Sequence, residues 1–187
     1  LAVQTRDVAP RLWNDFTELS QAEVGAAIGG VIETFENLIE AFRSRSKAHL
    51  ILHSLEGPLF NSQGLLDSRV ETSQVASIRE MNQGLWSLSH KYPGVYILDY
   101  DGLVSRYGRQ NWHDERKWLT SRMPIRADHL IDLANEWLCF IHPLTGKICK
   151  ALVTDLDNTL WGGVIGDAGL SGIELGEGSP RGEAFKA

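Results

Sequence analysis

Short apolar runs alternate along this chain with longer stretches whose apolar residues recur every three or four positions. A short apolar run predicts a buried strand, and the longer pattern predicts an amphipathic helix that packs on a core. The predicted strands lie at residues 49–53, 95–98 and 151–153, with helical patterns between them. Because strands separated by helices usually pair in parallel, the sequence predicts an α/β fold with a parallel sheet flanked by helices.

Residues 20–42 carry a long helical pattern. The apolar residues that define its buried face are Val24, Ile28, Val31, Phe35, Leu38 and Phe42, with Ile32 and Ile39 widening it. Ser20 and Glu23 have the spacing of a capping box, in which each side chain accepts a hydrogen bond from the other residue's backbone. The pattern therefore predicts a core-facing helix without a chemical role.

The composition is typical of a folded protein in a reducing compartment. The 187 residues are 43% hydrophobic, and they carry a formal net charge of −6 with scattered Lys and Arg, which argues against nucleic acid or an anionic membrane as the main partner. No apolar run reaches the roughly 18 residues that span a bilayer, and no secretory signal opens the chain. Two cysteines, Cys139 and Cys149, make no disulfide framework, so we expect a cytoplasmic protein.

Two carboxylates, Asp155 and Asp157, directly follow the predicted strand at residues 151–153. Ligands of parallel sheets bind at the carboxyl ends of the strands, and residues two apart in an extended segment face the same side. Two carboxylates that close repel each other, and a divalent ion such as Mg²⁺ would neutralise them. One carboxylate could then attack a phosphorus atom while the other moves the leaving-group proton, and Thr159 could bind a phosphate oxygen. The alternative is that Asp155, Asp157 and Asn158 only form the turn that closes a strand.

The string DLDNT, residues 155–159, resembles the first motif of the haloacid dehalogenase (HAD) superfamily of phosphotransferases. The longer string DLDNTLWGGVIGD, followed by GIELG, resembles the FkbH-like branch of that superfamily. The upstream strings LHSLEGP, SQVASIREMN and DERKWLTSRMP are similar to the N-terminal region of the same branch. The resemblance thus covers most of the chain and is most specific in its last third.

This resemblance implies roles for individual residues. Asp155 would be the nucleophile and a Mg²⁺ ligand, and Asp157 would be the general acid/base with its backbone carbonyl on the metal. Leu156 and Thr159 would bind the phosphate, and residues 161–176 would form a flap over the site. FkbH-like proteins of polyketide pathways dephosphorylate a phosphorylated three-carbon glyceryl donor and load the unit onto an acyl carrier protein. Other members of the branch are phosphatases of small phosphate esters.

The resemblance also implies two domains. Residues 1–147 would form an α/β domain like those of SGNH hydrolases or flavodoxin, and residues 148–187 would begin a Rossmann-like HAD core with its first strand and flap. His142–Lys147 is the expected linker. HAD catalysis needs a further Ser/Thr, a Lys and an acidic motif downstream of the first motif. We therefore expect a fragment of a longer protein that has little or no turnover by itself.

Other combinations of residues give weaker predictions. An SGNH esterase would need a Gly-Asp-Ser near its first strand, which is absent, and an Asp-x-x-His, where this chain has Arg126 three residues before His129. Cys139, His142, Cys149 and His129 match no standard zinc spacing, and Cys139 is expected to be a buried small hydrophobe.

Two further features could belong to the core or to a binding surface. Residues 112–118 are expected to form a surface loop that Trp112 and Trp118 pin to the body, or else a docking surface. His53 is expected to be a satisfied core histidine, or else to line a crevice at the carboxyl end of its strand. A second hypothesis for the whole chain is therefore a non-catalytic α/β domain that binds a carrier protein.

Overall fold

The computed structural model describes residues 1–146 and 148–186. These residues divide into two compact units, Leu1–Gly146 and Lys147–Ala187. No helix in the described ranges is both long enough and apolar enough to cross a bilayer. The expected domains, residues 1–147 and 148–187, stay a prediction about the whole protein.

Helices predominate in the first unit. They are α1 (Thr5–Val8), α2 (Pro10–Asn14), α3 (Gln21–Arg43), α4 (Gln74–Lys91), α5 (Tyr100–Tyr107), α6 (Arg109–Trp112), α7 (Glu115–Ser121) and α8 (Leu130–Leu144), and the strands are β1 (Leu50–His53) and β2 (Val95–Leu98). Short 3₁₀ helices lie at Phe16–Glu18, Gly64–Ser68 and Ala127–His129. The described part of the second unit contains α9 (Ile165–Ala168), α10 (Pro180–Lys186) and a 3₁₀ helix at Leu170–Gly172.

The sheet of the first unit is parallel. Leu50 lies opposite Val95, and the pairing continues to the ends of β1 and β2. Side chains alternate across a strand, so Leu52 packs with α3 and α4 on one face while Ile51 packs with α5, α6 and α8 on the other. The predicted α/β fold, with helices on both faces of a parallel sheet, is confirmed.

The capping box at the start of α3 is also confirmed. The backbone N–H of Ser20 donates to the Glu23 carboxylate at 2.9 Å, and the backbone N–H of Glu23 donates to the Ser20 hydroxyl at 3.4 Å. The hydrogen bond from the Ser20 backbone is the main reason that the pKa of Glu23 is lowered to about 2, and the Ser20 hydroxyl and Arg11 add to it. Because these groups stabilise the ionised carboxylate, the cap remains formed at acidic pH.

The buried face of α3 differs from the prediction at its C-terminal end. Val24, Val31 and Phe35 are buried as expected, but Leu38 is 47% exposed and Ile39 is fully buried in its place. A seven-residue repeat drifts by about 20° per heptad on a straight helix. By the third repeat, that drift moves Leu38 off the core-facing side and moves Ile39 onto it.

The predicted buried strand at residues 151–153 does not form. These residues belong to no helix or strand, and Leu152 and Val153 are 90% and 93% exposed. A strand needs a partner for its backbone groups and apolar layers on its faces. The described residues of the second unit provide only isolated bridges, at Asp157–Trp161 and Gly162–Glu174, so the apolar run has nothing to pair with or pack on.

The helix α8 forms where its pattern predicts, but little of it is buried. Leu133 is its one buried residue in the described ranges, whereas Ile131 is 63% exposed. Cys139, expected to be buried, is exposed because the face of α8 that carries it is not covered. The linker was predicted to begin at residue 142, but α8 continues to Leu144 with Pro143 in its last turn. The last residue of the predicted linker, residue 147, lies outside the described residues.

Candidate functional site

The two acids with predicted catalytic roles lie in the second unit, where Asp157 is inside a tight turn closed by hydrogen bonds to the carbonyl of Leu156 and Asp155 directly precedes it. Residues 155–160 are called the acid turn. Asp155 accepts a hydrogen bond at Oδ1 from the backbone N–H of Leu156, at 2.8 Å. Asp157 accepts at Oδ1 from the indole N–H of Trp161, at 3.0 Å, and from the backbone N–H of Ile165, at 3.2 Å. Within the described part of the chain, Oδ2 of each acid makes no hydrogen bond. Each acid therefore keeps one carboxylate oxygen open to a ligand.

Asn158 shapes this turn. Its φ of 56° lies in the left-handed region, which Asn adopts more readily than most other non-glycine residues. Its side-chain Oδ1 accepts from the backbone N–H of Gly163, at 2.9 Å, and from Nη2 of Arg181, at 3.2 Å. The backbone N–H of Thr159 donates to the carbonyl of Leu156, at 3.2 Å. Asn158 thus ties the turn to later residues and brings a guanidinium group next to it, which the sequence pattern did not indicate.

The ends of the expected flap, residues 161–176, are held together. Gly162 and Glu174 form an antiparallel bridge in which the N–H of Gly162 donates at 2.9 Å and that of Glu174 donates at 2.8 Å. A Cβ on Gly162 would lie 3.1 Å from the ring of Phe185, so the absence of a side chain allows α10 to approach closely. Residues 161–176 therefore form a loop that begins next to the acid turn and whose two ends are hydrogen-bonded to each other at Gly162 and Glu174. Its role as a flap stays a prediction.

The donor set of the acid turn fits a hard divalent cation. Carboxylate and carbonyl oxygens are the protein ligands that Mg²⁺ accepts, usually one or two carboxylates together with waters. Asp155 and Asp157 each have an Oδ2 atom without a hydrogen bond among the described residues. No group of three or more His, Cys, Asp or Glu residues that could hold a metal occurs among the described residues. The acids are thus of the kind that Mg²⁺ accepts, and their roles as metal ligands, with that of the Asp157 carbonyl, stay predictions.

The carboxyl ends of β1 and β2 in the first unit bring together a second group of polar side chains. His53 ends β1 and is buried, and its Nε2 accepts from the indole N–H of Trp137, at 2.8 Å. Its ring stacks on Tyr100, with centroids 5.1 Å apart. Burial lowers the pKa of His53 to about 4, and the positive chain start adds to the effect. His53 is therefore a buried histidine whose Nε2 has a partner, and it also lines a cavity of about 630 Å³.

Tyr100, which sequence reasoning did not single out, is buried beside His53. Its hydroxyl oxygen accepts from the indole N–H of Trp112, at 2.9 Å. Burial, with the nearby Glu56 carboxylate adding to it, raises the pKa of Tyr100 to about 12. Tyr100 is therefore neutral at physiological pH. Its position two residues beyond the end of β2 is the signal that could have identified it.

A buried ion pair lies at the end of the loop that follows β1. Nε2 of His113 is 2.9 Å from Oε2 of Glu56, and the Glu56 side chain is only 1% exposed. Nδ1 of His113 contacts the carbonyl of Arg109, at 3.2 Å. Burial lowers the pKa of His113, but the Glu56 carboxylate and the Arg109 carbonyl together raise it by more, so the pKa lies above its usual value. Nδ1 of His113 has a hydrogen-bond partner, whereas Nε2 and both Glu56 carboxylate oxygens are buried and form an ion pair without a hydrogen bond among the described residues.

The remaining residues that the sequence offered as candidate sites have structural roles or no supporting contacts. Trp112 and Trp118 are buried, which confirms that they pin their segment, although residues 112–118 contain the start of α7 and are not an irregular loop. His129 stacks on Trp112 and lies 3.0 Å from Asp132, so it joins no triad. The zinc set is not supported among the described residues, since Cys139 and Cys149 are both exposed and no metal cluster occurs there.

A comparison with protein families finds one match. The family described as the FkbH, N-terminal domain matches residues 8–142, which is most of the first unit. No curated protein matches the chain.

A comparison with solved structures finds a chain with the same fold. It is the N-terminal part of the protein BF1531 from Bacteroides fragilis, described as containing a phosphatase domain complexed with Mg, and the TM-score is 0.76. The two chains are 22% identical, and the match covers 97% of this chain and 46% of the other. The present chain therefore spans about half the length of its structural relative.

Proposed function

Because the chain belongs to the FkbH N-terminal domain family, we propose that it is part of a Mg²⁺-dependent HAD-type phosphatase that acts on a phosphorylated small molecule. The observation that carries the proposal is the acid turn, in which Asp155 and Asp157 each leave one carboxylate oxygen open. The structural relative, whose printed description names a phosphatase domain and Mg, supports the same assignment. Its sequence identity is low, so the activity rests on the chemistry of the turn.

In the proposed reaction, each residue of the acid turn carries out a different step. An oxygen of the Asp155 carboxylate attacks the phosphorus atom, the bond from phosphorus to the ester oxygen breaks, and the leaving oxygen takes a proton from Asp157. Asp157 then removes a proton from water, whose oxygen attacks the phosphorus; the bond from phosphorus to the Asp155 oxygen breaks, which releases inorganic phosphate and restores Asp155. Thr159 holds a phosphate oxygen by its hydroxyl, and the backbone at Leu156 lies beside it. Bound Mg²⁺ would offset the negative charge of the phosphate and the acids.

The indole of Trp161 has a defined part in this proposal. It donates to Oδ1 of Asp157, and the backbone N–H of Ile165 donates to the same atom. Because two donors occupy Oδ1, Oδ2 is left as the oxygen that exchanges the proton. The start of the flap thus orients the acid/base.

The finer proposal is that the substrate is a phosphorylated three-carbon glyceryl donor and that the unit is loaded onto an acyl carrier protein. Membership of the FkbH N-terminal domain family supports this direction. For a donor whose three-carbon unit is an acyl phosphate, the carrier thiol would attack the acyl carbon, the bond from that carbon to the phosphate oxygen would break, and the products would be the thioester and phosphate, which takes the proton of the thiol. The competing proposal, a non-catalytic domain that docks a carrier protein, is favoured by the exposed apolar residues of α8, such as Ile131 and Leu138.

Hydrogen exchange of the chain with and without Mg²⁺ and a phosphate mimic tests the role of the turn. We expect Mg²⁺ with beryllofluoride to slow exchange at residues 154–163, and Asp155→Asn to abolish this protection. Asp167→Asn is the matched control, because Asp167 is an exposed acid in the same unit that makes no hydrogen bond to the turn in the described structure. Equal protection in the wild type and in Asp155→Asn would refute the proposal.

A further inference from the structure

The side chain of Arg181, on α10, lies where the two ends of the loop at residues 161–176 meet. A Cβ on Gly162 would lie 3.2 Å from Nε of Arg181, so the absence of a side chain there leaves room for the guanidinium group. Nη1 of Arg181 is 3.9 Å from the carboxylate of Glu174, and its Cζ lies 5.9 Å from the centre of the Phe185 ring. Arg181 is therefore next to both the beginning and the end of this loop.

A hydrogen bond joins Arg181 to the acid turn. Its Nη2 donates to Oδ1 of Asn158, at 3.2 Å, and the backbone N–H of Gly163 donates to the same oxygen, at 2.9 Å. The ion pair with Glu174 is longer, and its two side chains are 58% and 42% exposed, so it adds little to stability. The hydrogen bond to Asn158 is therefore the contact through which Arg181 acts on the turn.

The backbone of Asn158 depends on its side chain. Its φ of 56° is left-handed, a conformation that costs an L-residue free energy and that Asn adopts when its short side chain makes hydrogen bonds nearby. Asn158 lies between Asp157, the proposed acid/base, and Thr159, the proposed phosphate ligand. A change in its φ would therefore turn these two residues relative to each other. Catalytic groups must be held within about 0.5 Å of their working positions, so such a change would weaken the site.

We propose that Arg181 is a positioning residue of the acid turn. By donating to Oδ1 of Asn158, it keeps that residue left-handed and holds the backbone of residues 157–159 in the arrangement that binds a phosphoryl group. Among the hydrogen bonds and ion pairs of the described residues, Arg181 has none with Asp155 or Asp157, so it acts through Asn158. The phosphoryl ligand rests on the proposed function, whereas the effect of Arg181 on the turn is present without a ligand.

Hydrogen exchange of the 187-residue chain without ligand, followed by NMR, tests the effect on the turn. Arg181→Ala should speed exchange of the Gly163 amide about threefold, because a single donor then holds Oδ1 of Asn158. Lys186→Ala is the matched control, because Lys186 is an exposed cation on the same helix, and it should leave this exchange unchanged. An unchanged Gly163 amide in Arg181→Ala, or the same acceleration in Lys186→Ala, overturns the proposal.

The affinity for beryllofluoride in the presence of Mg²⁺ separates positioning from a simple effect of charge. Arg181→Ala should weaken this affinity about threefold. Asn158→Gly permits the left-handed backbone and removes the acceptor, so Arg181→Ala should have no further effect in that background. An equal loss in both backgrounds would mean that Arg181 acts by its charge alone, and it overturns the proposal. If the wild type binds no beryllofluoride, the proposed function fails, and the Gly163 amide decides whether Arg181 positions the turn.

Discussion

Acidification should destabilise the first unit through His53. Burial lowers the pKa of His53 to about 4 in the folded chain, whereas an unfolded histidine has a pKa of about 6.5. Between these values the unfolded state binds more protons than the folded state, so the free energy of unfolding falls as the pH falls. The difference of about 2.5 pKa units, at 1.36 kcal/mol per unit, corresponds to about 3 kcal/mol. Roughly 2 kcal/mol of this is lost between pH 7 and pH 4.5.

Neither His113 nor Glu23 accounts for the fall in the free energy of unfolding between pH 6.5 and pH 4.5. The pKa of His113 is raised above 6.5, so its stabilising contribution is fully present below pH 6.5 and is lost only as the pH rises through its folded pKa. The pKa of Glu23 is lowered to about 2, so its contribution begins to fall only below an unfolded value near 4.5. Burial also lowers the pKa of the Leu1 amine, so the part of the slope between pH 6.5 and pH 4.5 that His53→Gln removes reports His53.

Urea unfolding at pH 7 and pH 4.5 measures this slope, and His53→Gln supplies the comparison. The wild type should lose about 2 kcal/mol more than His53→Gln over this range, whatever the absolute stability of the variant. His90→Gln is the matched control, because His90 is an exposed histidine on α4. An NMR titration of His53 gives the folded pKa directly. A midpoint near 6.5, or an identical pH dependence in wild type and His53→Gln, would refute the reasoning.

Three further substitutions have expected outcomes in the first unit. A Cβ on Gly84 would lie 2.4 Å from Cδ1 of Ile32, so Gly84→Ala should destabilise by about 1–2 kcal/mol although it improves helix propensity. In contrast, Gly29→Ala, with nothing within 4 Å, should stabilise by about 0.5–1 kcal/mol; urea midpoints that moved in the same direction for both would contradict this. Glu56→Gln leaves His113 buried without its carboxylate and should cost about 3 kcal/mol at pH 6. The cost should fall as the pH rises through the folded pKa of His113, and thermal denaturation that showed no such pH dependence would count against the ion pair.

Local patterns predicted the helices of the first unit because amphipathic periodicity is a property of the chain itself. The capping box at Ser20 and the core face through Phe35 needed only the positions of neighbouring residues. The same reasoning predicted β1 and β2, since their apolar runs find each other and the helices around them. It was wrong for residues 151–153, because a strand depends on a partner that local sequence does not supply.

The acid turn was partly predictable. Asp155 and Asp157 were identified from the sequence, and their roles as catalytic residues and metal ligands stay predictions. Arg181 was missed, since it lies more than 20 residues along the chain and is brought to Asn158 only by α10. No spacing rule connects residues at that separation when a turn, a flap and a helix intervene.

The sequence by itself determined the local elements, the amphipathic faces and the adjacent pair of acids, because each of these depends on residues within a few positions of one another. The tertiary structure alone decided what lies at the carboxyl ends of β1 and β2. There it joined His53 and Trp137, which are far apart in the chain, and it buried Glu56 against His113. Burial then lowered the pKa of His53, and the Glu56 carboxylate helped to raise that of His113, because the free energy of a charge depends on the groups that replace water around it.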